Sequence, residues 1–400
     1  MTVTVTPSKA TGRVSAPPSK SMAHRALICG ALCHQATIEN VAFSKDIEAT
    51  LACLQALGAS VQLDGATVHI GGLSLANIPA NACLPCNESG STLRFFLPLC
   101  MAAGVPITLT GSTRLFERPL TVYEDIAREG HIQFDKQADR VTVCGRLASG
   151  DYTVPGNISS QFITGLLFVL PLLSGDSTLT VTEPFESASY IDLTLQCLSD
   201  FGVDVRRSGN RFTIRGSQRP TAIAYTVEGD CSNAAFLEAL NVLGGSVRVE
   251  GLRETTLQGD RVYTDIFSKL VHDGARVDLA DCPDLAPVAF AVAAALNGAT
   301  FTGTARLCIK ESDRAAAMAE ELAKFGIAVT VGENTVIVHK GTLTKPTVPL
   351  CGHNDHRIVM ALTVLATLTG GTIDGAEAVS KSYPDFFDVM KLLQIGIKTL

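Results

Sequence analysis

Leu54-Gln55-Ala56-Leu57-Gly58-Ala59-Ser60-Val61-Gln62-Leu63 reads as a helix end, a glycine stop and the first arm of a β-hairpin. The same phrase returns as Leu198-Ser199-Asp200-Phe201-Gly202-Val203-Asp204-Val205. Glycine suits the left-handed turn that ends a helix, and the β-branched residues after it favour a strand. The corresponding glycines are Gly58, Gly130, Gly202, Gly274, Gly326 and Gly396, spaced by 72 three times, then by 52 and by 70. A second signature is an apolar helix with a small or glycine-like stop, followed by an alternating strand. It begins at Ala31 and Met101 and returns near Gly175, Gly244, Gly298 and Gly370. Two independent signatures on one period mark a repeat architecture.

Each unit reads strand, helix, strand, helix, strand, strand, so the fold class is α/β (α+β) with six repeated βαβαββ-type units, three per domain. In the first copy the expected pieces are Gly12 to Ala16, Ser21 to Cys33, Thr37 to Val41, Lys45 to Leu57, Ser60 to Leu63 and Thr67 to Ile70. The short interval arises after Val277-Asp278-Leu279, where no hairpin returns before the helix at Asp284, so copies four and five share or lack a strand. Copy six ends one strand short at Leu400, and the Thr2 to Thr6 strand is the candidate to fill that place. The expected domains are therefore residues 1–15 with 228–400 (copies four to six) and residues 16–227 (copies one to three). A doubly wound parallel sheet fits less well, because hairpins do not belong in one.

The 400 residues are 46% hydrophobic and 18% charged, a composition for packed domains rather than disorder. A net charge of −7 without basic runs argues against nucleic acid or an anionic membrane as partner. The twelve cysteines fall mostly in apolar stretches, as buried thiols in a reducing compartment do. Cys83 and Cys86 form one Cys-x-x-Cys with no second pair or nearby histidine, so no metal site is expected. The N-terminus alternates like a strand rather than a signal peptide, and the apolar runs Gly165 to Leu173 and Ala286 to Leu296 fall short of the ~20 residues that span a bilayer. A soluble cytoplasmic protein is expected.

On this map the polar clusters fall at one kind of place. The first helix of every unit opens on hydrogen-bonding or charged residues: Ser19-Lys20-Ser21, Glu88-Ser89-Gly90-Ser91, Ser159-Ser160-Gln161, Asp230-Cys231-Ser232, Asp281-Cys282-Pro283-Asp284 and His353-Asn354-Asp355-His356-Arg357. Serine, aspartate and asparagine are ordinary N-caps. Cations are not, because the helix dipole disfavours them there. Lys20 and Arg357, with Arg25 and Arg94 one turn in, fit a bound anion that dipole and cation can both hold. Second helices repeat the anomaly at Glu117-Arg118-Pro119, at Lys310-Glu311-Ser312-Asp313-Arg314 and at Lys381-Ser382-Tyr383-Pro384-Asp385. Lys310 and Arg314, four apart, are expected on one helix face. Such a site suits substrates that carry phosphate and carboxylate together. Its acid–base candidates are Asp284, Glu311, Lys20 and His356; Asp284 can be the N-cap of its apolar helix, a base, or both.

The segments Pro18-Ser19-Lys20-Ser21-Met22-Ala23-His24-Arg25, Ser89-Gly90-Ser91-Thr92-Leu93-Arg94, Glu117-Arg118-Pro119-Leu120, Lys310-Glu311-Ser312-Asp313-Arg314 and Asn354-Asp355-His356-Arg357 resemble the 5-enolpyruvylshikimate-3-phosphate synthase family, in motif order over nearly the whole chain. The resemblance implies the two-domain enolpyruvyl transferase fold (an inside-out α/β barrel) with a cleft between domains. It implies transfer of the enolpyruvyl group of phosphoenolpyruvate to the 5-hydroxyl of shikimate 3-phosphate, without metal or organic cofactor, by a monomer. Carried over by motif, Lys20, Ser21, Arg25, Ser159, Ser160, Gln161, Ser187 and Lys310 would hold shikimate 3-phosphate, with Tyr190 and Asp284 beside it. Lys20, Gly90, Arg118, Gln161, Arg314, Arg357 and Lys381 would hold phosphoenolpyruvate. Asp284 would take the hydroxyl proton, and Glu311 and Lys20 would serve the carbon.

Three positions depart from the family pattern: Arg306 where many members have asparagine, Thr121 where glycine is usual, and Glu88 where some carry asparagine. The UDP-N-acetylglucosamine enolpyruvyl transferases are the nearest rival. They have asparagine after the first motif lysine, where Ser21 stands, and usually a loop cysteine that Gly111 to Pro119 lacks. RNA 3′-phosphate cyclases would need a basic stripe, and a non-catalytic scaffold would not need acid–base groups at equivalent helix starts.

Overall fold

The computed structural model describes residues 1–221 and 224–400. The chain divides into two compact units, a continuous one of Pro18–Glu228 and a split one of Met1–Pro17 with Gly229–Leu400. Each has its own hydrophobic core.

Three repeats show the full pattern. In the second, Ala82–Asn87 runs parallel to Ile107–Gly111 across the helix Gly90–Ala102, and the hairpin Gln133–Lys136/Arg140–Cys144 adds antiparallel strands beyond. The third repeat (Asp151–Pro155, Ser177–Thr182, Arg211–Ile214, Val205–Ser208) and the fifth (Arg276–Asp278, Ala299–Thr302, Thr335–Val338, Val329–Val331) have the same strand order. A parallel pair needs the helical crossover and the antiparallel arm needs only a turn, so the order of elements dictates the sheet.

The two helices of a repeat differ in kind. Every residue from Met22 to Leu32 is buried in the lead helix Lys20–Leu32, and the same holds from Ala286 to Ala294 and from His356 to Thr367 in two others. A helix apolar all round belongs in a core. The second helices are amphipathic: Tyr263–Leu270 buries Tyr263, Ile266, Phe267 and Leu270, one face at helical spacing. Lead helices pack on each other closely enough that a Cβ at Gly165 would lie 2.5 Å from the Arg94 carbonyl oxygen. Pro98, inside the helix Gly90–Ala102, has no N–H to give that carbonyl, and the Tyr123 hydroxyl donates to it at 2.7 Å instead.

The remaining repeats exchange strands. Thr11–Ser15, expected to begin the first copy, pairs in parallel with Ser246–Glu250 and so begins the fourth. The first copy's sheet starts instead with Ala224–Thr226, parallel to Ala36–Glu39. Nearness in sequence suggested the wrong partner, because the chain leaves the split unit after its second strand. Copy four ends in Arg276–Asp278, which starts the sheet of copy five, and its own sheet has two strands. In copy six Thr2–Thr6 lies antiparallel between Gly371–Asp374 and Gly396–Thr399, supplying the strand that copy six itself lacks. Cys83 and Cys86 lie on the strand Ala82–Asn87, one exposed and one buried.

Candidate active site

In the continuous unit three lead-helix starts are tied together. Ser19, Ser89 and Ser159 cap their helices by accepting from the N–H groups of Met22, Thr92 and Gln161. The Lys20 ammonium meets the Asp46 carboxylate at 2.8 Å. Arg25 lies buried over the Phe95 ring and donates to Thr194 Oγ1 at 2.9 Å, the Ser21 carbonyl at 2.7 Å and the Tyr190 carbonyl at 2.9 Å. Burial lowers its pKa to about 10. Gln161 accepts from Arg94 at 2.9 Å and donates to Ser91 Oγ at 3.0 Å, while Arg94 also holds the Pro119 carbonyl at 3.0 Å. A Cβ on Gly90 would come within 2.5 Å of Arg118 Nη1, so the glycine is what lets that guanidinium lie against the helix start. Ser187, buried with φ of +57°, precedes the helix Ala188–Asp200 that carries Tyr190.

In the split unit the convergence is on a carboxylate. Asp284 Oδ1 accepts from Arg314 Nη1 at 2.8 Å and from Lys310 Nζ at 3.3 Å, and Oδ2 accepts from Arg357 Nη2 at 3.0 Å. Arg314 is 1% exposed and also binds Asp355 at 2.8 Å through Nε and Glu311 at 2.8 Å through Nη2. Asp355 caps the helix His356–Thr369 at the Arg357 N–H and accepts from Ser312. Lys381 reaches the Asn354 carbonyl at 2.5 Å. His356 is buried with Nδ1 3.8 Å from Asp355 Oδ1.

Charge follows this geometry. Burial works against an ionised Asp284, yet Arg357, Lys310 and Arg314 together hold its carboxyl well below the usual range. Burial likewise opposes ionised Asp355, and Arg314 outweighs it. Lys310 is pushed down, chiefly by burial and against the pull of Asp284. Asp260 goes the other way: burial and the Asp284 charge raise it to about 6, against the opposing effects of Arg357 and its hydrogen-bonded Ser232.

The sequence profile of the EPSP synthase family (3-phosphoshikimate 1-carboxyvinyltransferase) matches residues 5–390 of the chain. The chain belongs to the EPSP synthase family. The 3-phosphoshikimate 1-carboxyvinyltransferase of Clostridium kluyveri is 41% identical over 98% of this chain and 97% of its own length. That of Clostridioides difficile is 37% identical over 97% of this chain and 96% of its own. The EPSP synthase structure from Acinetobacter baumannii covers 100% of both chains with a TM-score of 0.81 at 23% identity, a likeness of fold.

Within this EPSP synthase family chain, the expected residues of the split unit fall together: Asp284, Lys310, Glu311, Arg314 and Arg357 form one hydrogen-bonded cluster. Two local expectations are corrected. Asp284 is not its helix's N-cap: it stands in the 3-10 turn Pro283–Leu285, and no side-chain hydrogen bond caps that turn or the helix Ala286–Ala295 behind it. Lys310 does not share a helix with Arg314, because Asp313 caps a helix that begins at Arg314. The two meet at one Asp284 oxygen across a turn. Sequence reasoning passed over Asp355 and Asp46 as partners. Asp355 was visible in Asn354-Asp355-His356-Arg357 beside more conspicuous cations, whereas Asp46 follows Lys45 in an ordinary helix start and gave no signal. Arg306 is buried and donates to the Ala280 carbonyl.

Proposed function

We propose that the protein transfers the enolpyruvyl group of phosphoenolpyruvate to the 5-hydroxyl of shikimate 3-phosphate, releasing phosphate. The observation that carries this reading is the convergence of Lys310, Arg314 and Arg357 on the Asp284 carboxylate in a chain of this family. A carboxylate held ionised accepts a proton, and the cations around it neutralise carboxylate and phosphate.

The roles proposed are these. Lys20, Ser21, Arg25, Ser159, Ser160, Gln161, Ser187, Tyr190 and Lys310 bind shikimate 3-phosphate. Lys20, Gly90, Arg118, Gln161, Arg314, Arg357 and Lys381 bind phosphoenolpyruvate. Asp284 accepts the hydroxyl proton as the oxygen adds to carbon 2, and carbon 3 takes a proton from Glu311 or Lys20. The tetrahedral intermediate then loses phosphate, which leaves with the proton that Asp284 took from the hydroxyl, and a carbon-3 proton returns to Glu311 or Lys20. An anionic substrate that draws Arg357 or Lys310 into its own ion pair removes positive charge from Asp284. Its proton affinity then rises as the reactants arrive. His356, buried beside Asp355, is proposed to keep the Asp355–Arg314 pair in place.

Phosphate release is the test. Phosphoenolpyruvate with shikimate 3-phosphate should liberate phosphate, and phosphoenolpyruvate with UDP-N-acetylglucosamine should not. The reverse preference would assign the chain to the sister activity.

A further inference from the structure

The helix Arg314–Lys324 touches the segment before the sixth lead helix twice. Arg314 holds Asp355 from its first turn. Seven residues on, the same face presents Glu321, whose side chain has 0% exposure. Glu321 Oε2 accepts the Cys351 N–H at 2.9 Å, and Oε1 meets His353 Nε2 at 2.9 Å and Lys324 Nζ at 2.8 Å. Between these two grips the backbone turns through His353 (φ +48°) and Asn354 (φ +50°), a pair of left-handed residues that are not glycine. Side chains rarely adopt that conformation, and it persists only where the surroundings hold it. The next groups along are the Asn354 carbonyl that receives Lys381, the Asp355 cap and the Arg357 guanidinium on Asp284.

We propose that Glu321 and His353 are positioning residues for phosphoenolpyruvate binding. They fasten the left-handed turn that sets Arg357, Asp355 and the Lys381 anchor in place. This rests on the function proposed above. Neither side chain is assigned contact with substrate; both act through the turn. A buried glutamate satisfied by Lys324 alone would be structure only, but it also takes up the backbone of Cys351 and the imidazole of the strained residue. The device is sensitive to pH. The groups facing His353 are Glu321, Glu320 and Lys324 on the helix and the Cys351 sulfur, which accepts the His353 N–H at 3.3 Å. Its hydrogen bond to Glu321 favours the imidazolium and raises its pKa from 6.5. The ionic part of the grip is therefore complete below the ordinary histidine value and lost as pH rises through the raised one.

The experiment uses the full chain and the variants His353→Gln and Glu321→Gln. His353→Gln should raise the KM for phosphoenolpyruvate roughly tenfold with kcat within about twofold, the mark of lost ground-state positioning. Wild-type KM should climb with pH as the His353 ring titrates by NMR, and the variant should lose that dependence. Glu321→Gln keeps one acceptor oxygen for the Cys351 N–H and turns an NH2 donor toward Nε2 of a neutral His353, so it should retain the turn while flattening the same pH profile. Amide exchange at Asn354 to Arg357, read without any substrate, should speed up in His353→Gln. Unchanged KM, pH profile and exchange in His353→Gln would overturn the proposal. If wild type lacks enolpyruvyl transfer, the functional reading fails, and the ring titration with amide exchange still decides whether the clamp exists.

Discussion

In the continuous unit Arg25 is bound by hydroxyls and carbonyls, and Arg94 meets the Gln161 amide and the Pro119 carbonyl. In the split unit Arg314, Arg357 and Lys310 are bound by carboxylates, with Arg314 shared among Asp284, Glu311 and Asp355. Lys20 with Asp46 is the continuous unit's ionic counterpart. Hydroxyls and carbonyls orient a guanidinium without cancelling its charge, so the partners of Arg25 leave its field in place. Carboxylates cancel much of that field, and in return the cations hold Asp284 ionised well below the usual range. One repeat thus holds its cations by neutral acceptors in one unit and by carboxylates in the other.

The widest difference should appear on removing the acceptor. Asp284→Asn leaves the shape of the cluster and takes away its base, so turnover should fall by roughly 10²–10⁴-fold while unfolding stays cooperative. Ser159→Ala in the continuous unit removes a cap and a proposed hydroxyl contact and should cost far less. Near-normal turnover of Asp284→Asn would move the base elsewhere.

Next comes the contrast between the two buried arginines, read by chemical denaturation. Arg314→Met takes a cation away from three carboxylates, one of them the fully buried Asp355, and should destabilise by about 3–5 kcal/mol. Arg25→Met leaves only neutral acceptors unpaired and should cost about 1–3 kcal/mol. Equal losses would erase the distinction between the units.

The repeat was legible because a helix stop recurs at every copy: Gly58, Gly202, Gly274 and Gly326 take the left-handed conformation themselves, while His131 and Gln394 take it in place of the expected Gly130 and Gly396. Where Thr11–Ser15 pairs was not, since a strand carries no record of which parallel neighbour it will find. The site was half legible. Cations at helix starts contradict the dipole, and that contradiction marked Lys20, Arg25 and Arg357. That three cations meet at two oxygens of Asp284 is a tertiary fact, and no spacing within Lys310 to Arg314 encodes it.

Gly90→Ala tests how closely the continuous unit holds its cation. The added methyl would meet Arg118 at 2.5 Å, so the guanidinium must shift. The KM for phosphoenolpyruvate should rise by roughly 10–100-fold with a smaller change in kcat. A KM within twofold of wild type would mean that Arg118 moves aside freely.

The finest contrast is between two acids of the split unit, Asp284 and Asp260. Asp284 titrates below its unfolded value, so its contribution to stability is complete above about pH 4 and is lost as pH falls through the lowered value. Asp260, raised to about 6, contributes in the opposite sense: its share is present below about pH 4 and is lost as pH rises through 6. Of these two acids only Asp260 changes its state between pH 4.5 and 7, and its slope cannot exceed that of one proton, about 1.4 kcal/mol per pH unit. Urea unfolding of Asp260→Asn across that window should show a flatter decline with pH than wild type. Below pH 4 the variant and wild type should lose stability in parallel, because Asp284 is common to both. Identical slopes above pH 4.5 would show that Asp260 ionises with the cluster instead of against it, and the split unit would then hold its acids as one charge set.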